Sequence, residues 1–224
     1  MRAYDMLIQA ESGLCSVTGT TETAVKVGVS LADVTTGMTA HAAVLEALLE
    51  RGLTGQGKAI EIAMFDTMAD LMSVPLLHHD YAHRDTPRVG LRHAAIYPYG
   101  AYACADGEVV AVVQSPQEWV RFCAMVLQRP DLTHDPRFAD NPARVVNRAA
   151  LDAIIGPVFA AKTQAGMIAV LEAADLPWSR VSTVADLSAH PALRRMQGTV
   201  AGGSFSGAVS PLRRDMVPGP VPEL

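Results

Sequence analysis

The chain has 224 residues, of which 50% are hydrophobic, and it carries a formal net charge of -5 at pH 7. This length and apolar content predict one large or two small folded domains and exclude a disordered tail. The acidic balance, without a run of Lys or Arg, disfavours a nucleic-acid partner, because phosphate binding needs a concentrated basic face. Cys15, Cys104 and Cys123 form no C-x-x-C pair, which predicts free thiols and no zinc site. No apolar run reaches membrane-spanning length and the start lacks a signal-peptide core, so we expect a cytoplasmic protein.

Asp33 lies between an apolar, strand-like run and a long amphipathic helix, which we predict from Met38 to Arg51 with its end at Gly52. Backbone N–H groups converge at a helix N-terminus, where they favour an ionised carboxylate and can aim it at an electrophile. Asp33 is therefore a candidate carboxylate nucleophile. The alternative is that Asp33 only caps the helix, since Asp is among the preferred N-cap residues.

The remaining elements follow from periodicity and turn signals. After a turn at 54–57, an apolar strand is predicted at 59–64, which gives a helix-turn-strand unit of an α/β fold. A second helix is predicted at 66–77, and the polar run after it is the candidate domain linker. The Asp-Gly pair at 106–107 predicts a β-hairpin between strands 99–104 and 108–113. Helices at 116–127, 147–161 and 163–174 follow, and then a loop-rich tail from residue 199 with one short strand.

Two motifs suggest ligands but are incomplete. The G-x-x-x-x-G-K run at 52–58 resembles a phosphate-binding loop, but Ala59 offers no hydroxyl for Mg²⁺ and a helix leads into a strand, which reverses the required order. His78, His79 and His83 include a spacing that suits a metal, but no further ligand at a suitable spacing completes the set. Solvated histidines are favoured, and we predict neither an NTP site nor a metal site.

Several blocks then identify a family by their order and spacing. They are 4–14, the Asp33 segment, 50–58 with the following strand, 95–102, 105–107, 129–131, 135–138 and 189–191. Together these blocks resemble the class III CoA-transferases, also called the CaiB/BaiF family, over nearly the whole chain. The resemblance implies an α/β fold that combines part of a Rossmann-like large domain with a smaller α+β domain. It also implies interlocked dimers, in which the subunits thread through each other.

The resemblance further implies how the chain is organised. Residues 1–77 would belong to the large α/β domain with the catalytic aspartate, and 78–95 would form the linker and active-site loop. Residues 96–192 would form the small α+β domain, and 193–224 a C-terminal return segment. Family members begin with a nucleotide-fold segment that precedes the Tyr4 block. We therefore expect an N-terminally truncated chain, which forms a homodimer or pairs with a chain that supplies this segment.

By resemblance, Asp33 matches the family's catalytic aspartate, which attacks an acyl-CoA thioester and passes through anhydride and aspartyl-CoA intermediates. Tyr4 matches a tyrosine near the active site, and Met64 matches a position that lines the CoA channel; a packing role stays open for both. A glycine-rich loop of the family closes over the thioester. The corresponding segment of this chain holds Gly90, Arg92 and His93, which we predict to contact the substrate.

The substrate class rests on the arginines of this loop. Arg92, with Arg88, could clamp the distal carboxylate of a dicarboxylic acyl group through a bidentate pair. The alternative is a solvated loop whose charges face water. The loop resembles those of members that handle succinate, mesaconate or itaconate. The resemblance thus implies an acyl-CoA and a small carboxylic acid as substrates, with no bound cofactor, no metal, no nucleic acid and no membrane.

Two other functions stay open. An α-methylacyl-CoA racemase shares this fold, but racemases of the family carry a histidine where this chain has Tyr4 and a glutamate where it has Ala103. Without a base on each face of the carbon, two-sided proton transfer fails, and this favours a transferase. The other reading is a truncated, non-catalytic remnant or a split subunit.

Overall fold

Residues 3–210 are described by the computed structural model, and within this range the chain forms ten α-helices and five β-strands. Contacts divide the chain into two units, Met1–Trp178 and Ser179–Leu224. Of the segment predicted at 193–224, residues 211–224 lie outside the described range. The fold mixes helices with a three-stranded and a two-stranded sheet.

The first unit begins with five helices. They are α1 Asp5–Glu11, α2 Leu14–Val17, α3 Leu31–Thr54, α4 Met64–Leu71 and α5 Ser73–Ala82. A small core of Ile8, Ala32 and Met68 joins α1, α3 and α4. Although α3 has 24 residues, Ala32 is its only buried residue. The long helix is therefore held at its N-terminal end, and most of its apolar side chains are exposed.

Helix α3 differs from the predicted helix at both ends. It begins at Leu31, so Asp33 lies inside its first turn. It continues through Gly52 and is terminated by Gly55, which has a φ of 74° and donates its N–H to the carbonyl of Arg51 at 2.8 Å. A left-handed residue at the C-terminal end of a helix favours glycine. The predicted end at Gly52 is therefore wrong, because the second glycine, not the first, adopts this conformation.

The strand predicted at 59–64 is not formed. Residues 56–63 have no regular secondary structure, and α4 begins at Met64. A strand needs a hydrogen-bonded neighbour, and no strand pairs with this stretch in the described range. The helix predicted at 66–77 consists of two helices, α4 and α5, which meet at Met72.

The predicted hairpin is confirmed. Strand β1, Tyr99–Cys104, pairs antiparallel with β2, Gly107–Val112, and Cys104 lies opposite Gly107 at the turn. A third strand, β3 Trp178–Arg180, follows β2 in the sheet order β1-β2-β3. The helices predicted after the hairpin also form. They are α6 Pro116–Arg121, continued by a π-helix at Phe122–Val126, then α8 Arg148–Ala160 and α9 Gln164–Ala173. Two elements between them were not predicted: a 3₁₀-helix at Pro130–His134 and α7 Asn141–Val146.

The main core of the first unit lies between this hairpin and the helices that follow it. Phe122, Phe138, Leu151 and Phe159 are fully buried there. Each such side chain contributes about 1.5–3 kcal/mol when it leaves water. Since the core around Ala32 is much smaller, the region after residue 96 contributes most of the hydrophobic stabilisation.

The second unit contains α10, Val184–Ala189, and a hairpin of β4, Arg195–Val200, and β5, Gly203–Ala208. The one short strand predicted in the tail from residue 199 is β5, and its partner β4, which begins before that tail, was not predicted. Gly198 lies opposite Phe205, and a Cβ on Gly198 would meet the Phe205 ring at 2.4 Å. A glycine that looks like a loop residue in the sequence thus makes room for an aromatic ring in a sheet.

No single helix within residues 3–210 is long and apolar enough to cross a membrane. Helices α8 and α9 meet the length and composition only when they are joined, and they are bent by 113° at their break. Both helices bury residues in the main core, including Leu151 and Met167.

Candidate active site

Asp33 is the third residue of α3, and its side chain is exposed. Ser30 occupies the N-cap position but makes no side-chain capping bond. The cap comes from α1, because the carboxylate of Asp5 accepts a hydrogen bond from the N–H of Ala32 at 2.9 Å. Within residues 3–210, no hydrogen bond or ion pair engages the Asp33 carboxylate. This carboxylate therefore stands at the start of a helix without being used to close it.

Gln9 is fully buried beneath this helix start. Its Nε2 donates to both carboxylate oxygens of Asp5, at 3.1 and 2.9 Å, and its Oε1 accepts from the N–H of Val27 at 2.8 Å. The amide thus ties α1 to the residues just before α3 and holds Asp5 in its capping position. The roles of Asp5 and Gln9 were not predicted from the sequence; their signal was a pair of polar residues four positions apart in the first helix.

Tyr4 and Met64 lie on the two helices that pack around this point. Tyr4 is at the N-cap of α1, next to Asp5, and 61% of its surface is exposed. Met64 is the first residue of α4 and packs against the cluster of Ile8, Ala32 and Met68. The structure thus places these two predicted residues on α1 and α4, which meet α3 at the turn that carries Asp33.

Gly90, Arg92 and His93 lie on a separate segment, which pairs with β1. The N–H of His93 donates to the carbonyl of Tyr99 at 2.9 Å, and Arg92 lies opposite Gly100 in an isolated bridge. A Cβ on Gly100 would meet Arg92 Cγ at 2.7 Å, so a glycine is needed at this close approach. Gly90, with a φ of 62°, donates its N–H to the carbonyl of Gly19 at 2.8 Å.

The imidazole of His93 is fixed by local bonds. Its Nδ1 accepts the backbone N–H groups of Ala95 and Ile96, at 3.1 and 3.0 Å, and its ring stacks on Tyr99 with centroids 5.2 Å apart. An accepting Nδ1 places the proton of the neutral ring on Nε2. His93 therefore offers an Nε2–H donor to a ligand.

Arg92 is held by α8. Its Nη1 donates to Asp152 Oδ2 at 2.6 Å, and the two side chains are 35% and 29% exposed. Burial opposes the charge of Arg92, but the hydrogen bond and the negative charge of Asp152 raise its pKa above the ordinary value. The other carboxylate oxygen of Asp152 accepts the hydroxyl of Tyr97. Burial raises the pKa of Tyr97 far above that of a free tyrosine, so this hydroxyl stays a donor.

Three polar side chains of α7 and α8 fix the rest of the segment. Asn141 Oδ1 accepts the N–H of Tyr97 at 3.0 Å, and the buried Arg144 donates to the carbonyl of Tyr97 at 2.8 Å. Arg148 lies over the Tyr97 ring, 4.8 Å from its centroid, and donates to the carbonyl of His93 at 3.0 Å. Segment 91–98 is thus bound to the folded helices and is not a loose, solvated loop.

Arg88 takes a different role from Arg92. Its guanidinium donates to the backbone carbonyls of Thr20, Ser16 and Thr21, at 2.8, 3.2 and 3.2 Å. These bonds, with the bond between Gly90 and Gly19, join the start of the segment to the loop that follows α2. Within the described residues, no hydrogen bond joins the predicted site residues around Asp33 directly to those at 90–93. The bonds of Arg88 and Gly90 to residues 16–21 connect the two groups.

A groove of about 840 Å³ lies beside Arg88. Its walls come from α2, α4, α5 and residues 85–88, and they include Phe65, Met72 and Leu76. None of the six predicted site residues lines this groove. Because Asp33 lies in the first turn of a helix whose start is capped by another acid, Asp5, we place the candidate site at Asp33 and not in the groove.

His78 and His79 lie in α5 and His83 at its C-terminal end, and within residues 3–210 no group of three His, Cys, Asp or Glu side chains is placed to hold a metal ion. His79 pairs instead with Asp85, with 2.7 Å between Nδ1 and Oδ1, and this hydrogen bond raises the pKa of the imidazole.

Comparison with known proteins identifies the family of the chain. The family model for "CoA-transferase family III" matches residues 1–206. An acyl-CoA transferase of Fusarium pseudograminearum is 34% identical over 189 residues, and a succinyl-CoA:glutarate CoA-transferase of Mus musculus is 28% identical over 185 residues. The chain belongs to the class III CoA-transferase family, which confirms the resemblance read from the sequence blocks.

Solved structures show the same fold. A CaiB/BaiF family protein from Brucella suis superposes with a TM-score of 0.77 at 29% identity, over 95% of this chain and 56% of that chain. Rv3272 from Mycobacterium tuberculosis gives a TM-score of 0.80 at 25% identity, over 94% of this chain and 57% of that chain. The predicted α/β class of the fold is therefore confirmed.

The match covers only part of the relatives. The alignments span 84% and 82% of this chain, but 41% of the Fusarium protein and 42% of the mouse protein. The chain thus spans less than half the length of these curated relatives.

Proposed function

We propose that this chain carries the nucleophile of a CoA-transferase, and that Asp33 is this nucleophile. The observation that supports the proposal is the division of roles at the start of α3, where Asp5 caps the helix and the Asp33 carboxylate remains exposed and unpaired among the described residues. An anionic group in the first turn is favoured by the helix dipole. The substrates are an acyl-CoA thioester and a carboxylic acid.

The reaction divides into four exchanges on one carboxyl group. The Asp33 carboxylate attacks the thioester carbonyl, which forms a mixed anhydride and releases CoA thiolate. The thiolate attacks the aspartyl carbonyl, which releases the donor acid and leaves an aspartyl-CoA thioester. The acceptor carboxylate then attacks this thioester and forms a second anhydride with release of the thiolate. Attack of the thiolate on the acceptor acyl carbon gives the new acyl-CoA and restores Asp33.

The fold supports these exchanges by keeping the carboxyl group in one place. Asp5 and the buried Gln9 fix the first turn of α3, so Asp33 needs little reorganisation between steps. Backbone N–H groups at a helix start can stabilise a tetrahedral oxyanion. Tyr4 and Met64 lie on the neighbouring helices, and we propose that they contact CoA. Gly90 and the Nε2–H of His93 complete the proposed binding set on the second segment.

We further propose a small dicarboxylate as one of the acids. Relatives are named as acting on succinyl-CoA with glutarate or with mesaconate. Arg92 supports this choice, because a guanidinium can bind a carboxylate through two parallel hydrogen bonds. Arg88 is less suited, since three backbone carbonyls already accept its donors.

A second polypeptide against α3 is part of the proposal. Val34, Met38, Leu45 and Leu49 recur at helical spacing, and each is between 48% and 72% exposed. An apolar stripe of this length is typical of a protein–protein contact. We propose that the partner is a second copy of the chain.

Intact-mass measurement tests the nucleophile. The protein is incubated with succinyl-CoA, and we expect a covalent adduct that is lost in Asp33→Asn. Asp66→Asn is the matched control, because Asp66 is also an exposed acid at the third position of a helix, α4. Loss of the adduct in both variants, retention in both, or no adduct on the parent protein contradicts the proposal.

A further inference from the structure

We infer that Asp152 is a positioning residue for substrate carboxylate binding: it holds Arg92 by one nitrogen and presents the other edge of the guanidinium to the substrate. This inference rests on the proposed function and deepens it. Asp152 belongs to α8 and lies outside the blocks that identify the family.

The first step is the geometry of the ion pair. Arg92 bonds Asp152 through Nη1. Within residues 3–210 this is the only hydrogen bond of the Arg92 guanidinium, so its Nε and Nη2 have no protein partner there. These two donors form the edge that matches both oxygens of a carboxylate. The exposed third of the Arg92 side chain leaves room for a ligand to approach.

The second step is that Asp152 is itself held in place by Tyr97. One oxygen of its carboxylate accepts a hydrogen bond from Arg92, and the other accepts one from the hydroxyl of Tyr97. Tyr97 is fully buried, and Arg144 and Asn141 bond its backbone. A carboxylate that is anchored on a buried tyrosine cannot swing away with the arginine. The pair therefore fixes the direction of Arg92 and does more than neutralise it.

The third step is the charge balance. Three guanidinium groups, of Arg92, Arg144 and Arg148, lie on or contact segment 91–98, and one carboxylate, of Asp152, pairs with Arg92. Two positive charges therefore remain without a carboxylate partner in this group. The surplus favours an anionic ligand, and a dicarboxylic acid supplies a second carboxylate that a monocarboxylic acid lacks.

The test compares equilibrium binding of glutarate and butyrate to the full chain, with the arginine Nε–H signals observed by NMR. We expect the parent protein to prefer glutarate and its Arg92 signal to shift with glutarate. The side chain in Asp152→Asn has only one acceptor oxygen, whereas Arg92 and the hydroxyl of Tyr97 each need one. The preference for glutarate should therefore fall by about tenfold, the usual effect of losing one charged hydrogen bond.

A variant series separates positioning from folding. Arg92→Gln should lose the preference by a similar factor, and the double variant should lose no more, because both changes remove the same contact. Asp152→Glu, which keeps two acceptor oxygens, should restore part of it. Asp131→Asn is the matched control, since Asp131 pairs with Arg129 at the same distance of 2.6 Å but elsewhere.

Three results overturn the inference: equal weakening of glutarate and butyrate in Asp152→Asn, an unchanged preference in that variant, or no preference in the parent protein. Failure of the proposal that Asp33 is the nucleophile can be distinguished from failure of this inference. Binding of a free acid needs no covalent step, so Asp33→Asn should keep the preference for glutarate even if no adduct is ever found on Asp33.

Discussion

The carboxylate of Asp5 accepts a hydrogen bond from the backbone N–H of Ala32, 2.9 Å away, and so caps the helix that carries Asp33. The two residues are 27 positions apart in the chain. An acid from one helix thus caps the start of another, and the carboxylate of Asp33 inside the first turn stays exposed.

Replacing Asp5 by alanine should destabilise the protein. The change removes the cap of α3 and the partner of the buried Gln9 amide, and loss of a cap costs about 1 kcal/mol. Urea unfolding measures the change, with Asp70→Ala as the control, because Asp70 is an exposed acid on α4. Equal stability of the two variants would show that Asp5 does not close the helix.

Long-range contacts of this kind could not be predicted from the sequence. The Asp-Gly hairpin at 106–107 was predictable because its signal is local. A helix after Asp33 was predictable from its apolar spacing, but its start at Leu31, and not Met38, and the residue that caps it depend on the packing of α1 against α3. Nothing in the local pattern of 59–64 distinguishes a strand from an extended stretch, because pairing is decided by other parts of a fold.

Replacing Gly100 by alanine should destabilise the segment that holds Arg92. The new Cβ would lie 2.7 Å from Arg92 Cγ and 3.0 Å from the carbonyl oxygen of Leu91. Overpacking of this kind costs about 1–3 kcal/mol. Thermal unfolding should therefore occur at a lower temperature.

Gly52→Ala is the matched control for this variant. Gly52 lies inside α3, where an added Cβ would meet no side chain or distant backbone atom within 4 Å, and alanine in a helix interior is favoured over glycine by about 1 kcal/mol. The two glycine variants should shift the unfolding temperature in opposite directions. A shift in the same direction would mean that the approach of Arg92 to Gly100 is not tight.

Cys123 should react more slowly with alkylating reagents than Cys15. Cys123 is fully buried, and burial raises the pKa of its thiol to about 12. At pH 8 the thiolate, which is the reactive form, is then only ~10⁻⁴ of the population, and it increases as pH rises toward the pKa. Mass spectrometry after iodoacetamide labelling measures which of the two cysteines reacts first. After unfolding in guanidinium, the two cysteines should be labelled equally. Equal labelling of Cys15 and Cys123 in the folded protein would contradict the burial of Cys123.

The apolar stripe of α3 predicts association. Sedimentation should show a dimer for the parent protein and a monomer for a Leu45→Glu, Leu49→Glu variant. Because both leucines are exposed in the single chain, the variant should keep its fold, which circular dichroism can verify. A monomeric parent protein would contradict a contact between two copies through this stripe.

The most direct test of the central claim follows oxygen through the reaction. When Asp33 is the nucleophile, attack of the acceptor acid on the aspartyl thioester leaves one acceptor oxygen on the Asp33 carboxylate. We predict that turnover with acceptor acid labelled with a heavy oxygen isotope places label in the peptide that contains Asp33 and none in the peptide that contains Asp66. Absence of label from Asp33, or label at Asp66, would contradict the assignment of Asp33 as the nucleophile.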